Sequence, residues 1–209
     1  MSQRSYCDAQ PDENELAVRA APAPTEGNRK IRQLIESKEK KSILFINPPI
    51  YDTIDAIKTN MVTCEHPFGL LRVAEYFRNL GWEVSYLDCL RDPILGGNPT
   101  RHVVNRFTCG NPQDGIYKDI HHYGLDHDEL RGRLAAMPEP DVIATNYVFS
   151  WHIAALEPFV KTCRSVYPKA QIWIGGVMAT TSPDVVAAAG VDAVFVGDIP
   201  EAVFSTTAL

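Results

Sequence analysis

The chain of 209 residues carries 45% hydrophobic and 22% charged residues, and its formal net charge is −6. This length suits a single domain with a sizeable core, and the composition is that of an ordinary soluble globular protein. The negative balance, without a basic stripe, argues against nucleic acid or an anionic membrane surface as the main partner. No apolar run approaches the roughly 18 residues that span a bilayer, and the N-terminus lacks the apolar region of a signal peptide. We therefore expect a cytoplasmic protein.

The cysteines are odd in number and scattered along the chain. They are Cys7, Cys64, Cys89, Cys109 and Cys163. They form no C-x-x-C pair and no closely spaced triplet, so the pattern indicates neither a zinc site nor a disulfide framework. It indicates a reducing compartment and no iron–sulfur cluster in this chain.

The first 41 residues read as a polar tail. Residues 1 to about 28 combine Ala, Pro and acidic residues with little to bury, which is typical of disorder. The segment NRKIRQLIESKEKK, residues 28–41, is compatible with a short helix followed by a solvated lysine run. We expect the folded domain to cover residues 42–209.

From Ser42 onward, strand and helix patterns alternate. Strands are predicted at residues 42–47, 83–89, 141–146, 170–176 and 192–198. One helix starts near Gly69 and stops at Gly81, and another has Ser182 as N-cap with Gly190 after its last turn. A third follows residue 146 and contains Pro158, so it either kinks there or begins at Glu157. Apolar strands alternating with helices predict an α/β, doubly wound parallel sheet with the flavodoxin-like (Rossmann-like) order 2-1-3-4-5.

One connection is much longer than the others. Residues 89–126 form a 38-residue stretch rich in Gly, Pro and His between the second and third predicted strands. Connections of this length are usually functional, so we interpret it as an insertion that acts as a lid or a binding loop.

Small and short polar residues follow the predicted strands. In a doubly wound sheet the carboxyl ends of the strands face the ligand, and residues such as Gly175 and Gly176 let a flat ligand approach the backbone. Pro48 and Pro49 would hold the first loop open. The alternative is that these residues only make turns. Neither a phosphate-binding P-loop nor a G-x-G-x-x-G follows any strand, which argues against ordinary nucleotide binding.

The order of several motifs carries a family resemblance. The segments are ILFINPP, PFGLLRVAEYFRNLGWEVSYLDC, PDVIATNY and AQIWIGGVMATTSPDVVAAAGVDAVFVGD. Over residues 42–200 this order resembles the cobalamin (vitamin B12)-binding domain found at the N-terminus of many radical S-adenosylmethionine enzymes. One departure is Arg72-Val73, where that family often has an aromatic residue and Leu.

The resemblance implies cobalamin as the ligand, with its nucleotide tail between the strand-end loops and the corrin ring across the sheet edge. It implies thirteen cofactor-binding residues: Asn47, Pro48, Pro49, Leu70, Thr145, Asn146, Tyr147, Gly175, Gly176, Val177, Thr180, Gly197 and Asp198. The first loop, NPPIYD, lacks the D-x-H-x-x-G histidine that ligates cobalt in other cobalamin domains. The cofactor would therefore bind without a protein histidine below the cobalt.

The chain lacks the C-x-x-x-C-x-x-C triplet of the radical enzymes, so it is not expected to be catalytic alone. The resemblance favours a stand-alone cobalamin-binding domain that acts as carrier, sensor or cobalamin-holding partner of a separate radical or methyl-transfer enzyme.

Two alternatives stay open. One is an interaction module that has lost the ligand. The other is a small-molecule enzyme with the insertion as lid, using Asp198, Glu201 and His152 as acid and base. His121, His122 and His127 have weak metal-site spacing and are interpreted as polar residues of the insertion, so no metal ligand is predicted.

Overall fold

The protein is described here from a computed structural model. The structure describes residues 33, 41–52, 67–90, 101–108, 117–147 and 153–197, with the backbone alone at residues 52, 101–108, 117–120 and 153. The predicted helix within residues 28–41 lies outside these residues, apart from the single helical position 33. Among the described residues, no helix is long and apolar enough to cross a bilayer.

Five parallel strands form the central sheet. They are β1 (Ser42–Asn47), β3 (Glu83–Asp88), β6 (Val142–Asn146), β7 (Gln171–Gly175) and β8 (Ala193–Val194). Their spatial order is β3-β1-β6-β7-β8, and every neighbouring pair is parallel. Counting only these strands along the chain, the order is 2-1-3-4-5. The predicted fold class and strand order are confirmed, although the fifth strand is much shorter than residues 192–198.

Five helices accompany the described sheet. They are α1 (Phe68–Asn79), α2 (His127–Ala135), α3 (Ile153–Val166), α4 (Val177–Thr181) and α5 (Pro183–Ala188). Helix α3 runs through Pro158, so of the two predicted alternatives the one in which regular helix begins only at Glu157 is excluded. Ser182 occupies the N-cap position of α5, as predicted, but its side chain makes no capping hydrogen bond. Helices α2 and α4 were missed in the sequence.

The two faces of the sheet carry separate hydrophobic clusters. On one face, Leu44, Ile143 and Ile174 pack with residues of α2 and α3 such as Leu130 and Phe159. The other face carries a cluster of Ile43, Phe45, Leu70, Ala74, Phe77, Trp82, Val142, Ala144, Trp173, Ala193 and Phe195, in which α1 supplies the helical residues. Alternate residues of each strand reach opposite faces, as the period of two requires.

The insertion contributes to a second, antiparallel sheet. Strands β4 (Arg101–Thr108) and β5 (Tyr117–Tyr123) pair with each other, and β5 pairs with β2 (Ile50–Asp52), giving the order β2-β5-β4. The base of the insertion is closed by a hydrogen bond of 2.8 Å from the Leu125 N–H to the Cys89 carbonyl. The long connection therefore has its own strands, which the sequence analysis did not predict.

Candidate functional site

A cavity of about 310 Å³ lies at the carboxyl edge of the parallel sheet, between α1 and the ends of β1, β6, β7 and β8. Its lining residues are Phe45, Gly69, Leu70, Arg72, Val73, Tyr76, Phe77, Ala144, Thr145, Asn146, Trp173, Gly175, Gly176, Phe195 and Gly197. Most of these side chains are apolar, and five are aromatic. The cavity thus occupies the place where doubly wound sheets bind ligands.

Strand register explains why space opens there. Ala144 on β6 is aligned with Phe45 on one side and with Trp173 on the other, so all three side chains lie on the same face. The methyl group of Ala144 is much smaller than the aromatic side chains on either side of it, so it leaves a gap between them. The gap above Ala144 is walled by α1, whose residues Gly69 and Val73 are one turn apart on the side facing the sheet.

The next row toward the sheet edge leaves the backbone accessible. Asn146 is aligned with Gly175, which has no side chain. Gly176 follows with a φ of 91°, a conformation that L side chains rarely adopt. A Cβ atom at Gly176 would lie 3.2 Å from the Cβ atom of Asn146, closer than most real contacts. Glycine at this position therefore keeps both the turn and the space beside Asn146.

Hydrogen bonds fix the loops around the cavity. The Thr180 hydroxyl donates to the Gly176 carbonyl at 3.0 Å and accepts from the Gly197 N–H at 3.0 Å. It therefore connects the loop after β7 with the loop after β8. The Thr145 hydroxyl donates to the Ile46 carbonyl at 2.9 Å, which joins β6 to β1. These two threonines position the walls of the cavity.

The first loop is anchored on the side of β3. The Asn47 side-chain amide donates to the Asp88 carboxylate at 2.9 Å, and the Cys89 N–H donates to the Asn47 carbonyl at 2.9 Å. Pro48 and Pro49, which follow, are buried. These contacts hold the ends of β1 and β3 together, and none of the three residues of the Asn-Pro-Pro sequence lines the cavity.

Six of the thirteen predicted site residues share this cavity. They are Leu70, Thr145, Asn146, Gly175, Gly176 and Gly197. Thr180 borders it through its hydrogen bonds, while Val177 is 57% exposed at the start of α4. Asp198 lies outside the described residues. The binding role of each residue remains a prediction.

Tyr147 lies on the opposite face of the sheet. Its side chain is 1% exposed, and its ring packs edge-on at 6.3 Å from the ring of Phe159 in α3. Burial raises the pKa of the Tyr147 hydroxyl well above its usual value. Alternation along the chain accounts for this placement, because Tyr147 lies on the face of Ile143, whereas Ala144 lies on the cavity face.

Nine cavity residues were missed in the sequence. They are Phe45, Gly69, Arg72, Val73, Tyr76, Phe77, Ala144, Trp173 and Phe195. The strand residues among them could be found by following the period of two backward from the strand ends. The α1 residues could be found from the helical spacing that begins at Gly69.

The histidines of the insertion are packed away from this cavity. His121 and His122 are buried, and the His122 ring contacts the Tyr51 ring edge-on at 4.9 Å. The Thr162 hydroxyl donates to the Pro158 carbonyl at 2.9 Å, so its oxygen accepts from His127 Nδ1 at 3.1 Å. His127 Nε2 then accepts from the Tyr51 hydroxyl at 2.8 Å. Burial lowers the pKa of His127. Within the described ranges, no cluster of three potential metal ligands occurs.

Comparison with known proteins identifies the family. A model of the B12 binding domain family matches residues 54–204, well over half of the chain. The chain belongs to this family. The predicted resemblance to cobalamin-binding domains is therefore confirmed, and the protein is a cobalamin-binding domain of the Rossmann-like type.

Two individual proteins are also similar. Cytidylyl-2-hydroxyethylphosphonate methyltransferase from Streptomyces wedmorensis is 24% identical over 164 residues, which are 78% of this chain and 27% of that protein. This chain thus spans about a quarter of that relative. The crystal structure of a novel cobalamin-binding protein from Desulfitobacterium hafniense DCB-2 matches with a TM-score of 0.46 and 10% identity, covering 81% of this chain and 59% of the other.

The geometry of the cavity fits part of cobalamin. The nucleotide tail ends in dimethylbenzimidazole, a flat aromatic group that requires apolar surroundings once it leaves water. The cavity offers aromatic side chains on its floor and walls, and two glycines at its rim. Tyr76, which is half-buried, offers an aromatic surface for edge contacts with such a ring, and the buried rings of Phe45 and Trp173 form an apolar floor beneath it. The residues present are therefore compatible with the cofactor that the family binds.

Proposed function

We propose that this domain holds cobalamin for a catalytic unit that carries out methyl transfer or radical chemistry. The nucleotide tail would occupy the cavity between α1 and the sheet, and the corrin ring would lie across the strand ends. The observation that carries this proposal is the apolar cavity above Ala144 at the carboxyl edge, together with the family match. When bound, cobalamin supplies a cobalt centre that can carry a methyl group.

The methyl-transfer part of the proposal is supported by the methyltransferase relative. This chain covers 27% of that protein, so the match concerns one part of a larger enzyme. A domain with this role needs only to bind and orient the cofactor, because the partner unit would supply the reacting groups. That division of tasks agrees with the apolar lining of the cavity, which offers burial and shape but no acid–base pair.

The roles of the domain's residues follow from their positions. Tyr76 and Val73 would contact the aromatic base, and the buried rings of Phe45 and Trp173 would form an apolar floor that excludes water from beneath it. Gly175 and Gly176 would let the tail pass close to the backbone, because neither residue has a side chain. Thr180 would keep the loops after β7 and β8 at a fixed separation through its two hydrogen bonds.

We also propose that no histidine of this domain ligates cobalt. The loop after β1 reads NPPIYD, without a histidine. His127 has both ring nitrogens engaged with Tyr51 and Thr162 on a different side of the molecule. Cobalamin whose own base lies in the cavity, and whose cobalt receives no imidazole, has the yellow base-off spectrum instead of the red base-on one.

The first experiment is a titration of the purified chain with methylcobalamin and hydroxocobalamin, followed by absorbance and calorimetry. We expect saturable binding of one cofactor per chain and a base-off spectrum for bound methylcobalamin. A red spectrum on saturable binding would show that a nitrogen base ligates the cobalt, either the cofactor's own base or a histidine, and would contradict the proposed base-off binding. Absence of binding at about 100 μM, which corresponds to about 5.5 kcal/mol, would refute the proposal. The domain would then be an interaction module that has lost its ligand.

A cavity-filling variant tests the location of the tail. Gly69 lines the cavity in the first turn of α1, and a Cβ atom there would meet no other atom within 4 Å. Gly69→Phe should keep the fold and weaken methylcobalamin binding at least about ten-fold, ~1.4 kcal/mol, because the new ring occupies the space for the base. Gly132→Phe is the matched control, since Gly132 is also helical with open surroundings but lies in α2. Equal affinities of the two variants would place the tail elsewhere.

A further inference from the structure

One charged side chain lies among the fifteen residues that line the cavity, and it is Arg72. It is the fifth residue of α1 and follows Gly69 by three positions, so both face the sheet edge. The other lining residues are apolar or carry uncharged polar groups. A single cation in such surroundings is notable, because the low polarity of the walls strengthens its interaction with any anion that enters.

The guanidinium of Arg72 is available for a ligand. Among the described residues, no carboxylate forms an ion pair with it. Glu75, three residues further along the helix, is instead bonded to Arg78 at 2.8 Å. Arg72 is exposed at the mouth of the cavity, so its charge remains solvated until a partner arrives.

The chain as a whole does not attract anions. Its formal net charge is −6, from 26 acidic and 20 basic residues. An anionic ligand would therefore approach against the overall charge unless a local cation compensates for it. The N-terminus of α1 adds to this compensation, because its first turn faces the same cavity at Gly69 and its N-cap residue Pro67 provides no side-chain acceptor.

Cobalamin carries one anionic group in the part that would enter this cavity. The nucleotide tail is joined to the corrin through a phosphodiester, which lies between the aromatic base and the ring. With the base over Ala144 and the corrin at the strand ends, the phosphodiester would lie near the cavity mouth. On the basis of the proposed function, we infer that Arg72 binds the phosphodiester of the cobalamin tail and thereby selects complete cobalamin over corrinoids that lack the nucleotide.

The inference differs from a purely steric role for the cavity. Steric burial would act on the base alone and would not depend on salt. A charge-assisted contact from a planar guanidinium adds two donors in a fixed geometry, and its strength falls as ionic strength rises. Arg72 would thus act as a specificity residue of the cavity.

The test compares the wild-type chain with Arg72→Gln, using methylcobalamin and methylcobinamide, which lacks the nucleotide and its phosphodiester. We expect Arg72→Gln to weaken methylcobalamin about five-fold to ten-fold, the range of a partly exposed charge-assisted contact, and to leave methylcobinamide within about two-fold. Arg78→Gln is the matched control, because Arg78 lies on the same helix outside the cavity. It should change neither affinity.

The dependence of methylcobalamin binding on ionic strength provides a second measurement, which does not require methylcobinamide. Raising KCl from about 50 mM to about 500 mM should weaken methylcobalamin binding to the wild type and to Arg78→Gln more than binding to Arg72→Gln. The inference is overturned if Arg72→Gln binds methylcobalamin like the wild type, or if it loses affinity for both corrinoids equally. In either case the proposed function stands. If the wild type binds no methylcobalamin at all, the proposed function and the inference fail together.

Discussion

Gly124 closes the base of the insertion and is, among the glycines that the structure describes, the position where a single methyl group should be most damaging. It follows β5 with a φ of 100°, and a Cβ atom added there would lie 2.3 Å from the carbonyl oxygen of Cys89. The same carbonyl accepts the hydrogen bond from Leu125 that joins the two ends of the insertion. Gly124→Ala therefore forces apart the contact that holds the antiparallel sheet against the parallel one.

The expected cost has two parts. An alanine in the left-handed region costs about 1–2 kcal/mol. The Cβ–oxygen contact falls about 1 Å short of ordinary van der Waals distance, and relieving it requires backbone movement at about 2 kcal/mol or more. We expect Gly124→Ala to lower the free energy of unfolding by about 3–5 kcal/mol. Gly81→Ala is the control, because Gly81 has a φ of 85° but open space around its Cβ position, so it bears only the first cost.

Urea unfolding followed by circular dichroism separates the two costs. With a slope of about 2 kcal/mol/M, the midpoint of Gly124→Ala should lie about 1 M or more below that of Gly81→Ala. Free energies of unfolding that agree within about 0.5 kcal/mol for Gly124→Ala and Gly81→Ala would refute the reasoning. The carbonyl contact would then be relieved without cost, and the base of the insertion would be more adaptable than its geometry indicates.

Two further predictions concern titratable groups. Burial lowers the pKa of His127, so the unfolded chain binds a proton before the folded chain does as the pH falls below about 6.5. The free energy of unfolding should therefore decrease below this pH in the wild type, and less steeply in His127→Gln. Equal pH dependences of the two proteins in urea unfolding would contradict this. Burial raises the pKa of Cys163 to about 12. At pH 8 we therefore expect iodoacetamide to leave this thiol unmodified in the folded chain and to modify it once urea unfolds the chain, as mass spectrometry of tryptic peptides would show. Labelling at equal rates in the folded and unfolded chains would disprove the burial of Cys163.

Local sequence signals accounted for most of the parallel sheet. Short apolar runs separated by helical spacing predict buried parallel strands, because both faces of such a sheet are covered. The strand order also followed, since few arrangements of five such strands satisfy the handedness of their crossovers. The N-terminus of α2 could also have been predicted from the sequence. Asp126 and Glu129 form a reciprocal capping box, with hydrogen bonds of 2.8 and 2.9 Å, and their spacing of three residues is the signature of such a box.

The antiparallel sheet was harder to infer. Its strand β2 has three residues, and β5 pairs with it across about seventy positions of sequence. No local pattern specifies a partner that far away, because the pairing energy comes from hydrogen bonds formed only after the chain has closed a long loop. The boundaries of the insertion could be predicted from the surrounding strands, but its internal structure could not.

The candidate site also combines features that the sequence predicts with features that depend on the tertiary structure. The sequence by itself determined which residues follow the strands, and therefore that Thr145, Asn146, Gly175 and Gly176 meet at one edge. Only the tertiary structure decided that Ala144 lies between Phe45 and Trp173 and that Arg72 faces the opening. The physical reason is that a cavity is a property of neighbouring strands in register and of the helix packed over them. A strand's own sequence fixes the alternation of its side chains, whereas the space beside each side chain depends on what the neighbouring elements place there.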